Sequence, residues 1–491
     1  MDIPQATSWL LQIEGIPQLF TWALYINAVV VVVILIYEER DPSTTLAWAM
    51  ALMLLPGIGL VFYLLFGRNW RVIGKRDRIR AEAELLGDAV LAPTYDQWAA
   101  RALAELDLAA PSASRISTAI STQNGTRLLP STGLEIFSAG ADKFPRLFAD
   151  IEAARESVHL AYFIWESDEM TGRMCALLAE KARAGVEVRV NYDWVGSLPY
   201  GKKQLKELER AGARVQPDTA HWSKLNYRNH RKIAVIDGRI AYTGGMNMGQ
   251  EYIDGGARYE SWRDTHIRFE GPLVADLQRL FCERWYRQTR ESLFSARYFP
   301  VLGIEGEGRV AWGQLAHSGP ESRWPVLRNS FLLAILSAEK SLRIQSPYFV
   351  PDEAILEGLL TQCLAGVDVQ FMMTGVPDKR IAWNAAFSYM DELVDAGGKM
   401  LHYDAGFFHP KTMTIDGEVA VIGTTNFDIR SFVLHDELSI FFFSPEVAAE
   451  QNAVFDRDLV ACHPILPEFY RSFGAPRRFG NALARLWSRL L

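Results

Sequence analysis

The feature that most constrains this 491-residue chain is a pattern that occurs twice at the same internal spacing. NHRKIAVIDGRIAYTGGMN places His230, Lys232 and Asp237 in the order H-x-K-x4-D, and FFHPKTMTIDGEVAVIGTTN repeats the order with His409, Lys411 and Asp416. Gly244-Gly245-Met246-Asn247 lie seven to ten residues after the first aspartate, and Gly423-Thr424-Thr425-Asn426 lie at the same offsets after the second. The surroundings repeat as well. A β-rich stretch (158–165), a helical stretch (170–184) and a strand (186–194) return as 342–350, 352–364 and 367–375, and AGVEV at 184–188 is echoed by AGVDV at 365–369. Gly185 precedes His230 by 45 residues and Gly366 precedes His409 by 43. Alternating strands and helices imply an α/β fold, and duplication with one motif per half implies two halves sharing one site.

The residue types suit phosphoryl chemistry. Alternation in H-x-K is expected to place both side chains on one face of a strand, so that an imidazole attacks phosphorus while an ammonium holds the non-bridging oxygens. Asn247 and Asn426, behind tight glycine turns, can donate amide hydrogens to those oxygens. Two lysines and two asparagines can then do the work of a metal ion, so neither metal nor other cofactor is expected. One histidine would form a phosphohistidine, and the other would protonate the leaving alkoxide and activate the acceptor hydroxyl. Asp264 in WRDTHI and Glu437 in HDELSI each stand just before a strand and are the expected orienters of the two imidazoles. Asp237 and Asp416 precede Gly238 and Gly417, so their expected role is in turn and hydrogen-bond structure. A single H-x-K-x4-D would be weak, but two copies inside a duplicated α/β frame are not. Structural or surface roles are expected for the other histidines, His159, His221, His266, His317, His402, His435 and His463.

The N-terminus reads as a membrane hairpin. Residues 19–37 carry no charge and are long enough to span about 30 Å of hydrocarbon as a helix. A second apolar run, 45–66, is interrupted only by Pro56-Gly57. Residues 1–18 hold no basic residue, whereas Arg68, Arg71, Lys75, Arg76, Arg78 and Arg80 follow the second run, which places the bulk of the chain on the cytoplasmic side. A net charge of −7 argues against a broadly basic nucleic-acid surface, so no nucleic-acid partner is expected. Cys175, Cys282, Cys363 and Cys462 are widely spaced, which suits buried thiols in a reducing compartment.

These paired motifs resemble those of the phospholipase D superfamily. RNHRKIAVIDGRIAYTGGMNMGQEY, SWRDTHIRFEGP, GTTNFDIRSFVLHDEL and the hairpin RDPSTTLAWAMALMLLPGIGLVFYLLFG are similar to segments of bacterial cardiolipin synthases. The resemblance implies a duplicated fold of two mixed sheets flanked by helices. It also implies transfer of a phosphatidyl group between two phosphatidylglycerol molecules, giving cardiolipin and glycerol at the bacterial inner (cell) membrane. Carried over by motif, His230 is the nucleophile and His409 the general acid and base, an assignment that the pseudo-symmetry leaves open. The expected organisation is an N-terminal segment (1–18), a transmembrane hairpin (19–67), a basic juxtamembrane linker (68–125), a first half (126–300) and a second half (301–491) ending in an amphipathic tail. Two departures stand out: Pro410 replaces a small residue, and LHDE at 434–437 stands where the family more often has Asn followed by an aromatic. Aromatic residues near strand ends, among them Trp165, Trp194, Tyr348 and Phe349, could line a lipid channel or pack in the core. The alternative function is hydrolysis of a phosphodiester, by a phospholipase D or nuclease, with the same two histidines. A non-enzymatic scaffold is disfavoured because both motifs are intact.

Overall fold

The computed structural model describes residues 21–22, 25–31, 33, 42–55, 58–63, 75–218, 227–304 and 309–486. The chain divides into an N-terminal unit, which runs to Arg71, and a larger unit beginning at Val72.

In the larger unit, fifteen strands form one sheet whose order displays the duplication. From its middle, one side runs Leu128–Phe137, His266–Glu270, Ile240–Gly244, Ile233–Ile236, Ser157–Tyr162, Glu187–Asp193 and Arg214–Asp218. The other side runs Ala311–Ser318, Glu437–Phe443, Val419–Gly423, Thr412–Ile415, Ser341–Gln345, Asp368–Thr374 and Lys399–Tyr403, with Cys462–Ile465 added at the edge. Pairing along each side is antiparallel four times and then parallel twice. The two mixed sheets expected from the resemblance are therefore joined. Leu128–Phe137 makes the join, because Leu128 to Ser131 pair with Ala311–Ser318 while Thr132 to Phe137 pair with His266–Glu270, across a register shift between Thr132 and Glu135. A strand that bends at such an irregularity can serve two ladders in succession.

Central strands such as Ser157–Tyr162 and Glu437–Phe443 are buried throughout, as expected where helices cover both faces of a sheet. The stretch 342–350, read from sequence as one strand, is two: Ser341–Gln345 lies in the large sheet, and Phe349–Val350 pairs with Phe427–Asp428. Trp165 and Phe349 are core residues, whereas Trp194 is 39% exposed.

Residues 68–125 were expected to be a linker, yet their described part is mostly helical. Helices Lys75–Ala109 and Pro111–Asn124 pack on the sheet, burying Tyr95, Ala102, Ile116 and Ile120. Ser117 Oγ donates to Gln314 Oε1 at 2.6 Å, fixing the second of these helices to the central strand Ala311–Ser318. The C-terminal helix Ala475–Leu486 docks against Arg380–Asp395 through buried Asn481 and Ala484, with Arg485 bonded to Glu392 at 2.6 Å. Phe479 and Leu483 stay exposed; Trp487, Leu490 and Leu491 of the expected amphipathic stripe lie outside the described residues.

In the N-terminal unit, the expected span 45–66 is divided into helices Pro42–Leu54 and Ile58–Phe62, where the sequence carries Pro56-Gly57. Much of the expected span 19–37 lies outside the described residues. Asn27 Nδ2 donates to the Leu52 carbonyl at 2.7 Å, and Val31, Ala49, Leu52 and Tyr63 bury against one another. Leu46, Met50, Met53, Leu54, Ile58, Val61 and Phe62 point outward, exposed. Among the described residues, no helix is long and apolar enough to cross a membrane.

Candidate active site

Both motifs fold as local repeats. In each, an Asp-Gly pair with left-handed backbone (φ 53° and 63° at 237–238, 53° and 73° at 416–417) turns one strand into the next, as a primed hairpin turn demands. The Asp237 carboxylate accepts the backbone N–H groups of Arg155, Glu156 and Ser157 at 2.9, 2.7 and 2.8 Å. Asp416 does the same for Glu339, Lys340 and Ser341 at 2.8, 2.7 and 2.8 Å. Four strand residues separate each aspartate from its lysine, which puts the two at opposite strand ends, about 16 Å apart at ~3.3 Å per residue. The aspartates pin the loop before the neighbouring strand, away from the histidines.

His230 and His409 do not sit on strands as expected. Each H-x-K lies immediately before its strand, Ile233–Ile236 or Thr412–Ile415. Lys232 Nζ donates to the His230 carbonyl at 2.6 Å, and Lys411 repeats that bond to His409.

What replaces the ladder is a crossed arrangement between halves. His230 N–H donates to the Asp436 carbonyl at 2.9 Å, and the next residue, Glu437, places Oε1 2.8 Å from His230 Nδ1. His409 N–H donates to the Arg263 carbonyl at 2.8 Å, and the next residue, Asp264, places Oδ2 2.7 Å from His409 Nδ1. Parallel pairing of Phe407–Phe408 with Trp262–Arg263, and the bridge from Asn229 to Asp436, set these registers. Each imidazole thus meets a carboxylate from the opposite half, which leaves Nε2 as the nitrogen not held by an acid.

Burial dominates the electrostatics. It lowers His230 well below the ordinary histidine range, helped by Lys232, His435, Lys411 and His409. His409 falls to about 4, with burial and Lys411 outweighing the opposing pull of Asp264. Desolvation takes Lys232 down to about 7 and Lys411 to about 8, against attraction by Glu437 and Asp264. The two acids differ. Burial pushes Glu437 up to about 8 despite Lys232 and Thr424, whereas for Asp264 the same penalty is overcome by Lys411, His409 and the Thr265 N–H, leaving it below the usual carboxylate range.

Asn247 and Asn426 are buried beside this centre. Asn247 Nδ2 donates to Tyr252 Oη at 2.7 Å and its Oδ1 accepts from Ile164 N–H at 3.2 Å, so one of its two amide hydrogens is used by the scaffold. Asn426 Oδ1 is buried without a hydrogen-bond partner. Several neighbours escaped the sequence reading. Phe163 lies edge-on to His230 at 4.8 Å, Trp262 and Phe407 flank His409 at 5.6 and 5.5 Å, and Thr424 Oγ1 donates to Glu437 Oε2. Arg263 forks onto Asp458 at 2.9 and 2.7 Å, locking the turn that carries Asp264. Arg263 and Thr424 adjoin motif residues in sequence and were within reach of closer reading; the aromatics meet the histidines only through the fold.

Comparisons with known proteins give the family and the fold. A family model described as "Cardiolipin synthase, PLD-like domain" matches residues 147–285 and again 331–459, and a "Phospholipase_D-nuclease N-terminal" model matches 23–68. A cardiolipin synthase of Listeria monocytogenes serotype 4b (strain CLIP80459) is 34% identical over 478 residues, covering 95% of this chain and 98% of its own length. The major cardiolipin synthase of Bacillus subtilis (strain 168) is 33% identical, covering 95% of this chain and 97% of its own length. The crystal structure of a phosphatidylserine synthase from Haemophilus influenzae superposes with a TM-score of 0.57 at 13% identity, over 77% of this chain and 98% of its own, a likeness of fold. By the doubled family match and by identity along nearly its entire length, the chain belongs to the cardiolipin synthase family of phospholipase D-like proteins.

Proposed function

We propose that this protein is a membrane-bound phosphatidyltransferase that makes cardiolipin from two phosphatidylglycerol molecules. The observation that carries the reading is the pair of imidazoles, each backed at Nδ1 by a carboxylate of the other half, at 2.8 and 2.7 Å.

His230 Nε2 attacks the donor phosphorus and forms a phosphatidyl-histidine as the P–O bond to the glycerol headgroup breaks. His409 delivers a proton to that departing alkoxide. A second phosphatidylglycerol then presents its headgroup hydroxyl, His409 removes the proton, and the alkoxide attacks phosphorus to release cardiolipin and free His230. Lys232, Lys411, Asn247 and Asn426 stabilise the non-bridging oxygens. The nucleophile assignment is supported by the asymmetry of the two acids: Asp264 beside His409 is held below the usual carboxylate range, which suits a histidine that must carry a proton, whereas burial pushes Glu437 beside His230 up to about 8. Asp237 and Asp416 position loops and touch no substrate.

The outward apolar side chains of helices Pro42–Leu54 and Ile58–Phe62 support a membrane-inserted hairpin, and the basic residues after it support a cytoplasmic catalytic unit at the bacterial cell membrane.

The test is incubation of purified, detergent-solubilised protein with labelled phosphatidylglycerol and chelator, with lipid products resolved by mass spectrometry. Cardiolipin with released glycerol is the expected result. Phosphatidic acid alone would make the protein a hydrolase, and the absence of any product would remove phosphatidylglycerol as donor.

A pH profile offers a second check. Lys232 and Lys411 carry charge below about 7 and about 8 and lose it above those values, so kcat/KM for the anionic lipid should fall on the alkaline side. A bound phosphodiester raises both lysines, so the corresponding limb of kcat should lie at higher pH. A kcat/KM that stays flat from pH 7 to about pH 10 would remove the lysines from substrate binding.

A further inference from the structure

His435 is a third imidazole at this centre and has no part in the transfer chemistry. Its ring lies 5.8 Å from that of His230, and both of its nitrogens are buried without a hydrogen-bond partner. Its Nδ1 stands 3.9 Å from Glu437 Oε1, the oxygen that His230 Nδ1 approaches at 2.8 Å. Among the described residues, His230, His435 and Glu437 form the one trio of potential metal ligands whose donor atoms all lie within 4.8 Å of one another.

We infer that His230, His435 and Glu437 form an inhibitory site for a borderline transition-metal dication, zinc above all, that disables the enzyme by occupying His230. Two imidazoles and a carboxylate with a fourth position open to water are a common zinc donor set. Ligands about 2.0–2.1 Å from the metal stand about 3.4 Å apart in a tetrahedron, so side-chain movements of roughly 1 Å close the trio around an ion. Burial keeps both imidazoles neutral, with lone pairs available. On Nδ1 the metal displaces the proton shared with Glu437 and draws electron density from the ring; on Nε2 it blocks the attacking atom itself. Arg228, Arg430 and Lys379 act on His435 from its surroundings and oppose a dication, as Lys232 does while protonated. Binding is therefore reversible and micromolar, weaker than at structural zinc sites. Nitrogen donors favour zinc, copper and cobalt over magnesium and calcium. His230 and Glu437 serve the transfer chemistry proposed above, whereas His435 does not, so His435 is the ligand whose replacement separates metal binding from turnover.

The inhibition arm of the test rests on the phosphatidyl-transfer reading; the binding arm does not. Cobalt titrated into the full-length protein in detergent at pH 8 should give one equivalent of visible absorption typical of a four-coordinate ion, displaced by zinc. His435→Asn should lose that band at the same concentrations, with circular dichroism confirming the fold; His435→Gln serves if the first variant misfolds. In chelator-free turnover assays, about 10 µM zinc should slow the wild-type protein at least ten-fold, with recovery on adding chelator and no effect of millimolar magnesium. Measured against its own metal-free rate, His435→Asn should need at least ten-fold more zinc for the same fractional inhibition. Equal zinc sensitivity of His435→Asn and wild type, or a cobalt band that survives the substitution, would overturn the assignment.

Discussion

Replacing His230 with alanine is expected to lower cardiolipin formation by at least about 10⁴-fold, and His409→Ala to do the same, because residues that act as one catalytic unit fail together. The two variants should differ in how they fail. Without His230 no P–N bond forms, so no lipid-labelled protein is trapped with any substrate. Without His409 the nucleophile remains but the glycerol alkoxide leaves without a proton; a phosphatidyl ester of p-nitrophenol, whose leaving group needs none, should still give a single burst and a stable phosphatidyl-histidine. Burst kinetics and intact-mass measurement read both outcomes. The reverse pattern would exchange the two roles, and turnover above about 1% of wild type in either variant would break the two-histidine mechanism.

The orienting carboxylates should come next in size. Asp264→Asn removes the charge that fixes the Nδ1–H tautomer of His409 and supports its imidazolium, and Glu437→Gln removes the acid that holds His230 Nδ1; each change costs roughly 10²–10⁴-fold where an acid backs a catalytic imidazole. Because the pairing is crossed, Asp264→Asn in the first half should impair the histidine of the second, and burst kinetics with the activated ester should separate the cases. Asp264→Asn, acting on His409, should spare the burst that Glu437→Gln, acting on His230, slows. A change of less than about ten-fold in kcat for both variants would reduce the carboxylates to a structural role.

The Asp-Gly turns were legible because left-handed backbone is demanded over two adjacent residues, and the aspartate carboxylate reaches backbone groups of the neighbouring strand's entry loop. The H-x-K segments were legible as a repeated pattern of residue types. Placing them inside a strand was an error of one to three residues, since pairing begins only at Ile233 and Thr412. Residues 68–125 misled more seriously. Their basic start suggested a linker, while the apolar residues that dock helices Lys75–Ala109 and Pro111–Asn124 have their partners in strands and helices far along the chain. The joining of two sheets into one depends on a register shift in Leu128–Phe137 that no periodicity announces.

By itself the sequence determined the duplication, the identities of the histidines, lysines and carboxylates, and the turns that present them, because each follows from side-chain chemistry and spacing over a few residues. Only the tertiary structure decided which acid serves which histidine, since Glu437 lies 207 residues from His230 and Asp264 lies 145 from His409. It also decided that His435, a lone histidine in the sequence, lies beside His230. Such contacts arise where two folded halves meet, and the free energy that selects them comes from burying both halves' strands and helices together, a quantity no local window of residues contains.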